Sequence, residues 1–569
     1  MSKTQTSLLA AIAALAIATT GCNSVKPEQA ADTIYVGGNI VTVNDVQPTA
    51  DAVAIKDGKI LMVGTRAEVE AMHKASSTSE IDLAGKTLVP GFVDAHSHFM
   101  FALDQIKQAN VSVPPVGAAA NIPATIAILK QFQQTNAIKP GDWIVGYGYD
   151  GSQLAEQREI TRDDLDPAFP DNPVMLIHVS GHGCVLNSAG LKKFNITAKT
   201  LTPPGGVILR KPGTNEPAGL LMETAYLPVF AELPKPSEAE MLDRMNAAQQ
   251  IYASNGYTTA QEGATHLKDL DFLKKAASQN RLYIDLVSLP LFIDLADTLQ
   301  KYPANTWGTY DNRLKLGGVK TVFDGSPQGK TAFFTRPYLT GGPDGEKNWH
   351  GEPTFTEAVF MKYMKPLYDN NLRTFNHCNG DASIDMFLDI QEKMHGKPEL
   401  RPVIIHSQFV RPDQLDRYVK LGIIPAMYPE HTYFFGDVHI KNLGMERASF
   451  MSPTQSALQK GMHVTLHTDF NVLPLDPMMV MWTAMNRTTR TGVILGADQR
   501  LTAAQALKAI TLDSAYEYME EKTKGSIEPG KLADFAILSG NPITTQGDAI
   551  KNIKVLETIK EGKSIYKAN

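Results

Sequence analysis

From about residue 88 onward, the chain repeats one pattern: a short apolar run rich in β-branched residues, then a stretch with helical periodicity. This alternation constrains the fold more than any other feature, because parallel strands need long crossovers and helices usually supply them. Eight runs fit strands, at 88–94, 258–261, 282–288, 314–323, 372–377, 402–406, 423–427 and 463–467. Helical patterns at 238–254, 356–370, 381–394 and 412–421 lie between them. The expectation is an α/β fold, a (β/α)8 TIM-type barrel over residues 88–522. The gap between the first two runs is too long for one crossover. Residues from about 110 to 220, rich in Gly and Pro, are therefore expected to form an inserted subdomain near the mouth.

Short β-type runs broken by Gly-Gly, Asn-Asp and Asp-Gly turns flank this region. They lie at 33–36, 40–43, 52–55 and 59–63, and again at 533–538 and 553–559. Residues 32–87 and 523–569 are expected to pair into a small composite β-sandwich. Ahead of them, Lys3, an uncharged stretch from Leu8 to Ala18 and the small residues before Cys22 read as a secretory signal over 1–22. Cys22 after Gly21 resembles a bacterial lipoprotein box, with Thr19 where Leu is usual, and 23–31 reads as a flexible tether. The expected location is the periplasm, free or lipid-anchored through Cys22.

The formal net charge of -6 and the lack of a long Lys/Arg run argue against nucleic-acid partners and a polybasic membrane patch. Any membrane contact is expected only through that anchor, and the expected partner is a small-molecule substrate. The three cysteines form no CxxC motif and no disulfide framework.

Barrel active sites lie at the carboxyl ends of the strands. Here the first run ends in Asp94-Ala95-His96-Ser97-His98, the fifth in His377, the sixth in His406 and the eighth in His467-Thr468-Asp469, while the fourth carries Lys320. Two histidines two apart on extended chain point to one side and can grip one ion. A single strand-end histidine is more often structural; four histidines and an aspartate at such ends form a pattern. Imidazole and carboxylate together suit zinc and similar divalent ions.

These residues resemble the amidohydrolase superfamily, in its amidohydrolase-3, YtcJ-like branch. The resemblance rests on the segment from Pro90 to His98, on Gly181-His182 with Asn187-Ser188, and on Gly318-Val319-Lys320 with Asp324-Gly325-Ser326. It continues through His377 with Gly380-Asp381, His406-Ser407-Gln408, and the tail from Gly525 to Asp534. It implies that His96, His98 and Asp469 hold one divalent ion, that His377 and His406 hold a second, and that Lys320 bridges them as a carboxylated lysine. Zinc is the expected metal, with manganese or iron as alternatives. An ordinary ion pair between Lys320 and Asp324 is the plainer alternative for that lysine. Asp469 is then the natural general base, His182 resembles a mouth histidine that could stabilise an oxyanion, and His431 is a candidate substrate contact.

The implied reaction is hydrolysis of a C–N amide-type bond in a formamide, N-acyl amine or cyclic amide. The alternatives are an exported regulator that kept the fold without catalysis, or an esterase or phosphoesterase on the same centre. The chain departs from the usual pattern at His467, best read as packing, and at Ile405, which removes a carboxylate beside His406. Gly146 to Gly151 matches a dinucleotide-type glycine spacing, but a turn is the expected reading, with Trp143, Tyr147 and Tyr149 available to line an entrance. The aromatic and thioether side chains of Phe99, Met100, Phe101 and Phe333 offer an apolar lining, and the Met-rich run 478–481 reads as helical core.

Overall fold

The computed structural model describes residues 29–231, 236–343 and 345–568. The signal, Cys22 and most of the tether lie outside the described residues. No helix among the described residues is long and apolar enough to cross a membrane.

The strands form two parallel arcs. One runs Phe92–Val93, Tyr257–Thr265, Asp285–Pro290 and Leu314–Leu316; the other runs Val319–Val322, Thr374–Cys378, Val403–His406, Ile424–Met427 and Thr465–Leu466. Isolated parallel bridges, Leu291 with Lys320 and Ser97 with Phe470, touch between the arcs, so no single ladder closes the ring. The result is a TIM-type α/β fold made of two arcs rather than one uninterrupted hydrogen-bonded barrel.

Three expected strands differ from the observed ones, two of them because of glycines at close contacts. The run 88–94 divides at Gly91, where an added Cβ would lie 2.5 Å from the Thr258 side chain. Only glycine allows that approach, and it lets Thr87–Pro90 pair with Phe535–Leu538 while Phe92–Val93 joins the first arc. The run 314–323 divides at Gly317 and Gly318, where a Cβ on Gly317 would meet Val287 at 2.4 Å. The run 463–467 shortens to Thr465–Leu466.

Side chains alternate across each strand. Inward-facing Val93, Val287, Phe375, Val403, Ile405 and Ala426 pack on one another inside the arcs. Outward-facing Ile404, Leu466 and their neighbours pack against helices such as Glu238–Ala253, Asp381–Lys393 and Pro412–Leu421. Burying each such large side chain stabilises by about 1.5–3 kcal/mol. The Met-rich run lies in the helix Pro477–Asn486, with Met478 and Met481 in this core.

Deep in the fold, Glu517 accepts a hydrogen bond of 2.6 Å from Thr465 Oγ1. Burial pushes its carboxyl up to about 8, against the pull of Thr465 and Arg373. A carboxyl raised in the fold binds its proton more tightly than the unfolded chain does, so stability falls as pH rises from about 4.5 to about 8. Glu517→Gln is expected to leave the melting temperature nearly unchanged at pH 5. At pH 8.5 it should raise it by roughly 2–5 °C relative to the parent. Thermal melts across that range check the sign, and an equal shift at both pH values would remove the assignment.

Strands from both chain ends share a six-stranded sheet in the order Lys563–Lys567, Val555–Lys560, Phe535–Leu538, Thr87–Pro90, Asn39–Val41 and Thr49–Ala50. A four-stranded sheet, Lys59–Gly64, Ala52–Lys56, Thr33–Val36 and Ser79–Asp82, contributes Tyr35, Val53 and Ile55 to a core with Leu88, Phe535 and Ile559. Buried charges join these sheets to the first arc. Asp285 accepts from Lys524 at 2.6 Å and Lys560 at 2.8 Å, and Lys560 also reaches Asp534 at 2.8 Å. Burial opposes charge on Asp285, but the two lysines outweigh it and hold the carboxyl well below its usual range.

The inserted segment is a six-stranded sheet ordered Gly206–Arg210, Pro217–Glu223, Gly183–Leu186, Val174–His178, Ile144–Tyr149 and Ala109–Asn110. The glycine-spaced run expected to be a turn is mostly strand Ile144–Tyr149, because Gly146 fits between Val111 and Leu176. Of the aromatics there, Trp143 packs on Phe194, Tyr147 is half-buried, and Tyr149 is fully buried, donating to Glu159 at 2.6 Å. Cys184 and Cys378 are both buried free thiols.

Candidate metal centre

At the end of the first barrel strand the chain bends so that His96 and His98 face Asp469 across the mouth. Gln261 sets the first ring. Its amide nitrogen donates to Ala95 O at 2.8 Å and to Tyr518 Oη at 2.6 Å, which leaves Oε1 as acceptor for His96 Nδ1 at 2.5 Å. That network places the proton of His96 on Nδ1 and turns the Nε2 lone pair to the centre. His96 Nε2 and His98 Nε2 each lie 3.4 Å from Asp469 Oδ1, and the three donor atoms fall within 4.8 Å of one another. Donors held tetrahedrally at ~2.1 Å from one ion sit ~3.4 Å apart, longer than a hydrogen bond, so the spacing suits a shared cation.

The other arc brings up a second set. The His377 and His406 rings are 4.6 Å apart, and His406 Nε2 is 3.9 Å from Asp469 Oδ2. His98, His377 and His406 each keep a buried Nδ1 with no hydrogen-bond partner. Lys320 Nζ lies between the sets, 3.1 Å from His96 Nε2. Among the described residues no carboxylate forms an ion pair with Lys320. Asp324 instead accepts from the backbone of Phe333, Asn379 and Gly380 at 3.1, 2.9 and 2.8 Å and from Ser383 Oγ at 2.8 Å. Its Oδ1 also stands 3.3 Å from His377 Nδ1. His406 and Asp469 have φ of 72° and 52°, left-handed conformations that cost of order 1–3 kcal/mol and aim both side chains inward.

Electrostatically this is a pocket of neutral imidazoles. Burial, with Lys320 and neighbouring rings, holds His96 and His406 well below the ordinary imidazole value, and it lowers His98 and His377. Burial also pushes Lys320 down to about 8, against the opposing charges of Asp469 and Glu262. For Asp469, burial is outweighed by the neighbouring His98, His467 and Lys320, so the carboxylate is favoured. Neutral imidazole and ionised carboxylate are the ligand forms a divalent ion needs.

The donors open into a narrow cleft lined by His182, His377, His406, His431, Asp469 and Val472 among others. His182 comes from the inserted sheet; its Nδ1 is 3.0 Å from Glu223 Oε2. Burial opposes charge on this imidazole, but Glu223 outweighs it and raises the ring above its ordinary value. His431 Nδ1 is held 3.1 Å from His439 Nε2, leaving Nε2 available to the cleft. His467 sits beneath the cleft, 4.7 Å from the Tyr428 ring and 5.1 Å from His406, with no hydrogen bond from either nitrogen. Phe101 lies 5.4 Å from the His98 ring, whereas Phe99 is fully buried in the main core.

The fold therefore brings His96, His98, Lys320, His377, His406 and Asp469 to one place, with His182 and His431 on the cleft wall. Sequence reasoning missed Gln261, Glu223 and His439 as their partners, and it named Asp324 as a motif residue and a partner for Lys320 rather than for His377.

Residues 79–566 match the amidohydrolase family. The chain is similar to N-substituted formamide deformylase of Arthrobacter pascens, 26% identical over 548 residues, 95% of this chain and 99% of that protein. It is also similar to the putative amidohydrolase YtcJ of Bacillus subtilis, 25% identical over 542 residues, 94% and 99% of the two chains. Among solved structures, an uncharacterized metal-dependent hydrolase from Pyrococcus horikoshii matches with a TM-score of 0.70 at 24% identity, covering 90% of this chain and 98% of that one.

Proposed function

The chain belongs to the amidohydrolase family, and on that premise we propose that it is an exported, metal-dependent hydrolase cleaving amide-type C–N bonds of small molecules. The observation that carries this reading is the shared 3.4 Å spacing of His96 and His98 from Asp469, with His377, His406 and Lys320 beside it. In this reading His96, His98 and Asp469 hold one divalent ion and His377 and His406 a second, with carboxylated Lys320 between them. Zinc best suits the imidazole-rich donors. When bound, such ions acidify a water and polarise a carbonyl oxygen.

The chain's own residues do the rest. Asp469 faces both donor sets, so it accepts the proton of the attacking water and returns it to the leaving nitrogen. His182 approaches from the opposite wall, where its Nε2 can donate to the carbonyl oxygen as negative charge develops there. His431, braced by His439, contacts the substrate. The inserted sheet narrows the cleft and limits water. Its narrow polar wall, with imidazoles beside the Asp469 carboxylate, favours small polar substrates, with formamides first because of the similarity to N-substituted formamide deformylase. The two terminal sheets act as one sandwich supporting the barrel floor. An N-terminal signal with Cys22 lipidation would place the enzyme in the periplasm.

The protein as isolated is expected to hold close to two equivalents of zinc, manganese or iron by elemental analysis. Exhaustive chelation should lower turnover of formanilide by at least ~100-fold, with recovery on adding zinc. A panel adding an N-acyl amino acid, a lactam and 4-nitrophenyl acetate separates amide from ester cleavage. Turnover that survives complete metal removal would end the reading.

A further inference from the structure

His182 reaches the cleft from the inserted segment rather than from the parallel arcs, and a carboxylate from that same segment holds its ring. It precedes the strand Gly183–Leu186, whose neighbour in the inserted sheet is Pro217–Glu223. The Glu223 amide donates to His182 O at 2.8 Å, which sets the two residues side by side. Glu223 closes its strand with φ of 49°, a left-handed conformation that a non-glycine residue keeps only when its surroundings require it. That turn directs the carboxylate back to His182, with Oε2 3.0 Å from Nδ1.

The other oxygen reaches the barrel. A Cβ on Gly325 would lie 2.7 Å from Glu223 Oε1 and 2.2 Å from Thr331 Oγ1, so the carboxylate occupies space that any larger residue at 325 would fill. Glu223 thus spans from the inserted sheet to the loop after Lys320, between two parts of the chain that jointly form the cleft. The ring it holds lies 5.8 Å from the His377 ring and lines the cleft with Asp469.

We infer that Glu223 is the positioning residue for His182, fixing Nδ1–H on its carboxylate so that Nε2 is presented to the substrate oxygen. This rests on the reading of His182 given above and extends it: the inserted sheet supplies a two-residue device rather than a passive cover. A carboxylate behind an imidazole both orients the ring and favours its cationic form, as partners behind catalytic and metal-bound histidines do.

The test uses the metal-loaded full chain with Glu223→Ala, Glu223→Gln, His182→Ala and the double variant His182→Ala/Glu223→Ala, assayed on formanilide and crystallised. His182→Ala is expected to lower kcat about 10²- to 10³-fold, the scale of losing one donor to a developing oxyanion. Glu223→Ala should lower kcat about 10- to 100-fold, with KM changed by less than about 3-fold and metal content unchanged. Glu223→Gln, which keeps the hydrogen bond, should recover part of that loss. Because Glu223 acts through His182, removing it in the His182→Ala background should change kcat by less than about 2-fold. In crystals, the His182 ring should turn away in Glu223→Ala and stay in place in Glu223→Gln.

Additive losses, or lost metal with an unmoved ring, would show a merely structural strut and overturn the inference. If His182→Ala keeps full activity, the oxyanion role fails instead, while the ring's orientation still decides whether Glu223 positions it. If the parent does not hydrolyse formanilide, the substrate reading fails and the crystals alone decide.

Discussion

Asp469→Asn is expected to lower kcat by about 10³-fold or more in a protein that still folds and still holds metal on the His377 side. The size follows from where the carboxylate stands. Oδ1 is equidistant at 3.4 Å from two imidazole nitrogens, while Oδ2 turns toward His406 at 3.9 Å. One side chain therefore completes one donor set and faces the space between both. Asparagine is the informative replacement. Residue 469 has φ of 52°, which Asn tolerates better than Ala, so the amide keeps the backbone while removing the basic oxygen. kcat and metal content measured together separate the two losses. Metal retained with turnover gone assigns the proton transfer to Asp469, whereas normal turnover would strip it of that role.

The TIM-type α/β fold and the strand-end histidines and aspartate that it gathers were legible because their signals are local. A strand ending in a histidine or aspartate carries its own address, since parallel strands in this fold all point their carboxyl ends to one face. His96 and His98 lie two apart, and extended chain alone aligns them. What sets those rings was not legible, because the partners lie far off in the chain. Gln261 reaches His96 across 165 positions, and Glu223 reaches His182 across 41. Nothing in the composition near Glu223 distinguishes it from a solvated acid; only the pairing of its strand with that before Leu186 does so. The strand breaks at Gly91 and Gly317 were hidden for a related reason. Each glycine answers a close contact, with Thr258 or Val287, that exists only once the sheet has formed. The same limit produced the mistaken turn at 146–151: glycines there serve close strand packing, which in sequence looks like chain reversal.

Lys320→Ala should be nearly as damaging as loss of Asp469, and more informative about the metal. Lys320 is buried at the meeting point of the two donor sets, with Nζ 3.1 Å from His96 Nε2 and no carboxylate paired to it among the described residues. An ammonium there would repel cations held by five neighbouring ligands. Burial already disfavours that ammonium, and the free amine is the form that adds carbon dioxide. The nitrogen lone pair attacks the carbon, one proton leaves, and an anionic carbamate with two ligand oxygens results. Native mass spectra of the intact protein should therefore show an acid-labile excess of about 44 Da that is absent from Lys320→Ala. The variant should lose at least one of two metal equivalents and about 10³-fold in kcat, in line with removing a bridging anion from a paired site. Millimolar formate or propionate, small enough to enter the vacated space and carrying the same two oxygens, should restore both metal and part of the activity. Full metal loading in Lys320→Ala without added acid would mean that the two donor sets need no bridge, and that Lys320 serves the fold by its stem alone.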